Sequence, residues 1–188
     1  MAKILVDSNY EIKPVLRAMF NSDFFKAAMH QKVKSPVEVV VGTLRSTGDL
    51  RGPDPKLEAL GKEPGYMGQD ILDPPSVEGW HTGREWINSG SLVKRVNFVA
   101  DRVSDTSLPG VQRMIEHVGN NGTTMTAEEL VDRCLDIMGP VEVTDGTKAE
   151  LVSNVVDGGE IELGTESFSR RTSETFALIA ATREYQFG

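Results

Sequence analysis

The apolar and polar positions of the chain alternate mainly with the period of an α-helix. Apolar side chains recur at the i, i+3, i+4 and i+7 spacing that places them on one helix face. The clearest stripes are Ile12, Val15, Leu16, Met19 and Phe20 near the start, residues 92–103 and 111–118 in the middle, and Phe168, Thr172, Phe176 and Ile179 near the end. The pattern predicts an all-α protein, an irregular bundle of eight or nine helices.

Three sequence signals mark where helices begin. Ser35 with Glu38, Thr126 with Glu129, and Thr147 with Glu150 have the three-residue spacing of a capping box. Pro36, directly after Ser35, adds the proline that is favoured at a first helical position. The start signal therefore favours a helix over a strand for the valine run at 39–41, with a buried stripe predicted at Val37, Val40, Val41 and Leu44.

Polar and turn-forming segments divide the helical patterns. Residues 46–56 and 119–125 are predicted loops, and Pro64 with Gly65 is predicted to interrupt the chain. The segments 141–143 and 161–163 alternate apolar and acidic residues, so they either form a minimal two-stranded ribbon or stay loops. We expect one helical domain over 1–188. A subdivision into a tryptophan-bearing part, 1–104, and a C-terminal helical part, 126–188, is an alternative.

Composition limits the classes of function. The 188 residues carry a formal net charge of -8, which argues against a nucleic-acid partner because such binding requires a basic surface. No apolar run approaches the ~18 residues of a membrane span. Scattered basic residues, among them Lys34, Arg95 and Arg102, are predicted to lie on solvated helix faces. The single cysteine, Cys134, permits no internal disulfide and is expected to be buried as a small apolar residue.

The residue constellations of common active sites are missing from the sequence. It contains no glycine-rich phosphate loop, no HExxH and no GxSxG. We therefore assign no catalytic residue and no cofactor. His81 and Glu85, four residues apart, are the best metal-like pair, but a single pair of this kind is common by chance, and no metal site is predicted.

The stretch DPPSVEGWHTGREWIN, residues 73–88, holds both tryptophans of the chain. Consecutive prolines stiffen it, and its two glycines permit tight turns. One interpretation is a rigid joint in which the indoles fill gaps between helices. The other is a ligand pocket, because indole faces suit sugar rings and an arginine suits carboxylate or sulfate. The candidate binding residues are Trp80, His81, Arg84, Glu85, Trp86 and Asn88.

These residues also carry a family resemblance. The segments KVKSPVEVVVGTLR, GYMGQDILDPPSVEGWHTGREWINSGSLVKRVNF and LIAATREYQF resemble the bacterial family called domain of unknown function 1800. The resemblance is most specific at Gly79-Trp80, Gly83-Arg84 and Trp86-Ile87-Asn88. His81 departs from the family pattern, in which a proline commonly follows the Gly-Trp pair.

The resemblance implies a mostly helical protein of no established activity, whose longer relatives are often exported, and it supplies no catalytic residues. It also implies that this chain corresponds to a C-terminal part. We expect a protein partner, a homodimer or an upstream region of the same protein to cover apolar surface at the N-terminus. Three functions follow as hypotheses: an interaction or scaffold module of an envelope-associated protein, a small-ligand or glycan-binding module at 73–88, and a hydrolase with an unidentified acid–base pair.

Overall fold

The computed structural model describes residues 1–50, 52–120, 123–156 and 159–187. Within them the chain is all-α, as predicted, with ten α-helices, two short 3₁₀ turns and one pair of two-residue strands. The helices are α1 Ala2–Asp7, α2 Ile12–Phe20, α3 Asp23–Lys26, α4 Pro36–Thr47, α5 Leu57–Tyr66, α6 Ser89–Val103, α7 Pro109–Val118, α8 Ala127–Met138, α9 Asp145–Val156 and α10 Glu166–Ala181; the 3₁₀ turns are Gly83–Trp86 and Glu184–Gln186, and the strands are β1 Thr124–Met125 and β2 Ile161–Glu162.

The count of eight or nine helices was too low, because α1 was not predicted. Its six residues have no side-chain cap and are too few to show a helical period. Packing against α2 accompanies its formation instead. The predicted interruption at Pro64 was also wrong: α5 continues through Pro64 to Tyr66. Pro64 has no N–H to donate, so α5 lacks one bond of its ladder at this position and ends two residues later at Tyr66.

Two of the three predicted capping boxes are confirmed. The Glu38 amide donates to Ser35 Oγ at 3.3 Å, and the Glu129 amide donates to Thr126 Oγ1 at 3.2 Å. The box predicted at Thr147 was wrong, because α9 begins two residues earlier. There the hydroxyl of Thr144 accepts from the Thr147 amide at 3.2 Å, so Thr144 supplies the cap.

Of the two segments for which a ribbon or a loop was considered, 161–163 forms a strand, but 141–143 is not its partner. Ile161–Glu162 pairs antiparallel with Thr124–Met125, not with 141–143. Ile161 and Met125 lie opposite each other and are both buried, so this pairing places two apolar side chains in the core. β1 lies within the loop predicted at 119–125. Residues 121 and 122 of that predicted loop lie outside the described part of the chain.

The core surrounds α10, which packs against α6, α7, α8 and α9. Its predicted inner face is confirmed, since Phe168, Thr172, Phe176 and Ile179 are buried. Cys134 is likewise fully buried, and burial raises the pKa of its thiol well above the usual range. On the other side of α6, α4 packs against α5, α6 and α7.

The first 31 residues are exposed or half-buried along their whole length. We call them the N-terminal arm and the rest of the chain the body. All residues of the arm are described, and none of them is buried; the first buried residue is Val33. Within the arm, α1 packs on α2 and α2 on α3. Val33 then forms an antiparallel bridge with Phe187, so the arm joins the body beside the C-terminal segment.

Candidate functional site

The stretch 73–88 connects α5 to α6 by a path that only particular residues permit. Gly79 and Gly83 have φ values of 102° and 62°, a region that side chains with a Cβ rarely adopt. Asn88 then starts α6: its side chain accepts from the Ser91 amide at 2.9 Å, and Ser91 Oγ accepts from the Asn88 amide at 3.0 Å. Asn88 therefore has a structural role as a helix cap.

The two tryptophans occupy different environments. Trp86 is buried, with 6% of its surface exposed. The Ser91 hydroxyl donates to the carbonyl of Trp86 at 2.8 Å, which fixes this residue to the first turn of α6. Trp80 is only half-buried, and its indole N–H donates to the carbonyl of Asp70 at 3.0 Å. Trp86 thus serves as a packing residue, whereas Trp80 presents an indole surface held in one orientation.

A cleft of about 620 Å³ lies beside Trp80. Its wall combines residues from three parts of the chain: the junction between arm and body, the first turn of α4, and the loop that follows α5. The apolar members of this wall are Val33, Val37, Ile71, Trp80 and Trp86. We call this depression the Trp80 cleft.

The polar groups around the Trp80 cleft are largely paired with one another. Gln69 Oε1 accepts from the Val37 amide at 3.0 Å, and Lys32 donates to the carboxylate of Glu38. Burial by itself would raise the pKa of Glu38, but hydrogen bonds from Lys32 and Ser35 outweigh it and leave that pKa below its ordinary value. The surface that remains for a ligand is therefore mainly apolar.

His81 and Glu85 form an exposed pair on the same side. His81 Nδ1 lies 3.1 Å from Glu85 Oε2, and about two-thirds of each side chain is accessible. Within the described ranges, no group of three or more His, Cys, Asp or Glu side chains is placed to hold a metal ion. The pair thus has no third ligand of these types in that part of the chain.

Arg84 lies apart from the other candidate residues. It lines a smaller cleft of about 380 Å³ together with His30, Glu142, Arg183 and Phe187. The structure therefore brings Trp80, His81 and Trp86 together at the Trp80 cleft. Glu85 reaches that cleft only through its contact with His81, and Asn88 is committed to capping α6.

A buried arginine next to this region was not anticipated. Arg95 was predicted on a solvated face but is fully buried. Its Nε donates to Gln186 Oε1 at 2.9 Å and its Nη2 donates to the Lys34 carbonyl, while among the described residues Nη1 has no hydrogen-bond partner. Burial lowers the pKa of Arg95 to about 10. The sequence carried a signal, since Arg95 stands one turn before Val99, on the apolar stripe of α6.

Lys34 completes this cluster at the end of the chain. Its Nζ donates to the Tyr185 carbonyl at 2.8 Å and lies 4.2 Å from the centre of the Tyr185 ring. Burial, and then the neighbouring charge of Arg95, lower the pKa of Lys34. The backbone amide of Lys34 also donates to the Gln186 carbonyl at 2.9 Å. These contacts fasten the residues after the arm to the C-terminal segment.

Comparison with known proteins yields one match. A family model described as "Protein of unknown function (DUF1800)" matches residues 1–187. No curated protein and no solved structure matches the chain. In the part of the chain that the structure describes, no helix is both long and apolar enough to cross a membrane.

Proposed function

The chain belongs to the DUF1800 family, whose description states no activity, and we propose from its own surface that it is a protein-interaction module. The N-terminal arm is the contact element, and another polypeptide surface covers its apolar side. That surface belongs to a separate polypeptide or to another region of a longer protein, and the proposal includes both.

One observation carries this proposal: besides Met1, the arm exposes eight large apolar side chains and, over residues 1–31, buries none. They are Val6, Tyr10, Ile12, Leu16, Phe20, Phe24, Phe25 and Met29, each between 41% and 70% exposed. The four aromatic ones alone present on the order of 400 Å². With the aliphatic ones added, the arm exceeds the roughly 300–600 Å² of the largest apolar patch on a typical monomer.

The arrangement of these side chains suits docking into a groove. Ile12, Leu16 and Phe20 stand one turn apart on α2 and remain 41–57% exposed. Val15 and Met19, on a neighbouring face of α2, are half-buried. An amphipathic helix with anchors at i, i+4 and i+8 is the usual form of a helix that binds a hydrophobic groove.

A second candidate function is binding of a small ligand in the Trp80 cleft. The half-buried Trp80, whose N–H is held by the Asp70 carbonyl, is the observation that favours it. A glycan requires several free polar groups along its ring, whereas Gln69 Oε1, Lys32 and Glu38 are already engaged. An apolar or aromatic ligand therefore suits this cleft better than a sugar. The hydrolase hypothesis stays a prediction.

The interaction function is tested with one triple variant of the arm, Ile12→Glu/Leu16→Glu/Phe20→Glu. The apolar side of the arm in the wild-type chain is either covered or open. If association covers it, light scattering gives a mass above that of one chain. If it is open, it binds an apolar dye. We expect the substitutions to remove whichever signal the wild type gives. Because these side chains are not part of the body's core, we expect circular dichroism and the melting temperature of the body to stay near the wild-type values.

A matched control places three glutamates on the outer surface of the body, at Gln112, Val156 and Leu178, which are exposed and lie outside the arm. We expect it to keep the wild-type mass and dye signal. A wild-type chain of single-chain mass that binds no dye, or a signal that the arm variant leaves unchanged, would overturn the proposed function.

A further inference from the structure

We infer that the polypeptide that covers the arm is a second copy of this chain, and that the arm of each copy occupies the Trp80 cleft of the other. This inference rests on the proposed interaction function and names its partner. It is carried by a second unpartnered apolar surface on the body, by the charges of the two surfaces and by the place where the arm joins the body.

The second apolar surface consists of the Trp80 cleft and of exposed apolar residues that stand near its lining residues in the sequence. Val37 lines the cleft, and Val41, one turn further along α4, was predicted to be buried but is 45% exposed. Between Ile71 and Trp80, which also line the cleft, the chain exposes Leu72 at 91% and Val77 completely. A groove with an apolar margin of this kind is the complement of the stripe on α2.

The charges of the two surfaces are opposite. Lys13 and Arg17 flank the apolar stripe of α2, and this helix contains no acidic residue. The segment 70–85 beside the cleft carries one arginine and four acidic residues, Asp70, Asp73, Glu78 and Glu85. Across the whole chain, the arm has four basic and three acidic residues, whereas the remaining 157 residues have 16 basic and 25 acidic ones. Such complementarity favours contact of the arm with the body of another copy.

Pairing of arm with arm would satisfy these features less well. It would bring Lys13 and Arg17 of both chains together and would leave the margin of the Trp80 cleft in water. Arm-to-cleft exchange covers both apolar surfaces of each chain at once. Two such contacts bury more surface than one, and a stable interface takes roughly 800 Å² per partner.

The arm leaves the body beside the surface that would receive it. Lys32 and Val33, directly after the arm, line the edge of the Trp80 cleft. In a twofold dimer, the arm and the Trp80 cleft of both chains then lie around one axis. Reciprocal exchange therefore closes at two chains and does not propagate into a filament.

Charge reversal with complementation tests the inference on the full chain. Light scattering across a concentration series is expected to show two chains for the wild type. Lys13→Glu/Arg17→Glu and, separately, Asp73→Lys/Glu78→Lys are each expected to raise the dimer dissociation constant on the order of tenfold or more, because like charges then face each other. Arg113→Glu, an exposed reversal on α7, is the control and should leave the constant unchanged.

Mixing the two charge-reversed variants gives the decisive measurement. In the mixed dimer, the acidic arm of one chain meets the basic margin of the other, and the remaining arm and margin keep their natural charges. We therefore expect a heterodimer of near wild-type affinity, and the same recovery in a single chain that carries all four reversals.

Three outcomes would overturn the inference. A single-chain mass of the wild type at every concentration would do so, whether the arm is open or folded onto its own body. Dissociation by the arm reversal alone, with no effect of the cleft reversal and no recovery on mixing, would show that arms pair with arms. In that case the interaction function stands while its partner surface changes. A dimer unaffected by the arm triple glutamate variant would refute both proposals.

Discussion

The arm and the body are both built from amphipathic helices, yet only the body buries them. In the arm, α2 has a clear apolar stripe, and Ile12, Leu16 and Phe20 stay 41–57% exposed. In the body, the stripe of α10 is almost completely buried, with Phe176 and Ile179 at 0%. An amphipathic sequence therefore gives a helix an apolar face, and the rest of the fold determines whether the same chain buries that face.

From this difference we expect stability to depend on the body and association to depend on the arm. Most of the buried apolar side chains of the body form one continuous core, so their removal should lower the free energy of unfolding. Side chains of the arm lose little water on folding of the single chain, so their removal should alter association and leave that free energy nearly unchanged.

Trp86→Ala is expected to weaken the body strongly. Removal of this buried indole should lower the free energy of unfolding by about 3–5 kcal/mol, as for other large buried aromatic residues. Denaturant titration at a dilution that favours single chains measures it. Trp80→Ala is the matched control; since Trp80 is only half-buried, its loss should cost clearly less. Equal losses for the two would show that both tryptophans belong to the core.

Gly110→Ala tests the close contact between α7 and the end of α4. A Cβ at Gly110 would lie 2.2 Å from the Ser46 carbonyl oxygen, so the helices must move apart. We expect a loss of about 1–3 kcal/mol in the free energy of unfolding. Gly42→Ala in α4 is the control: nothing lies within 4 Å of its Cβ position, and a better helix former should stabilise by about 0.5–1 kcal/mol. A neutral Gly110→Ala would show that this contact yields easily.

Glu38→Gln tests the junction between arm and body through pH. The pKa of Glu38 lies below its ordinary value of 4.5 in the folded chain, so its contribution to stability is present above pH 4.5 and is lost as pH falls through the lowered value. The side chain is partly exposed, so we expect less than about 1 kcal/mol. Between about pH 5 and pH 3, the variant should lose less stability than the wild type; parallel pH profiles would contradict this assignment.

Phe24→Ala should have the smallest effect on the fold. Phe24 lies in α3 of the arm and is 64% exposed, so its truncation should change the free energy of unfolding of the single chain by no more than about 0.5 kcal/mol. Phe176→Ala, which removes the same side chain from the core, is the comparison and should cost about 3–5 kcal/mol. A large effect of Phe24→Ala, measured at high dilution, would place the arm within the cooperative unit of the body.

The sequence predicted best the features that depend on local chemistry. The caps at Ser35 and Thr126 and the inner face of α10 were confirmed because neighbouring residues determine them. The features that depend on residues far apart in the sequence could not be predicted from local sequence patterns. β2 pairs with β1 across an intervening helical hairpin, and Arg95 is buried because Lys34 and Gln186, far along the chain, supply acceptors for its guanidinium.

The candidate site shows the same limit. The chemistry of 73–88 indicated either a rigid joint or a pocket; the structure buries Trp86 and leaves Trp80 half-buried, and both indoles line the Trp80 cleft. The stripe predicted on α4 was partly wrong for a related reason: Val41 is exposed while Val39 is buried. With a run of three valines, the sequence pattern alone does not determine which face of the helix turns inward. The division of the chain near 104–125 stays a prediction.

The fastening of Lys34 to the C-terminal segment has a mechanical consequence. The Lys34 amide donates a hydrogen bond to the Gln186 carbonyl. The Arg95 guanidinium donates to both the Lys34 carbonyl and the Gln186 side chain. A pull on the arm from a bound partner would therefore load these bonds first, and through them α6 and α10, before it reached α4. The two helices that meet at the centre of the body would therefore carry a force applied to the arm. The arm is thus attached to the most deeply packed part of the protein.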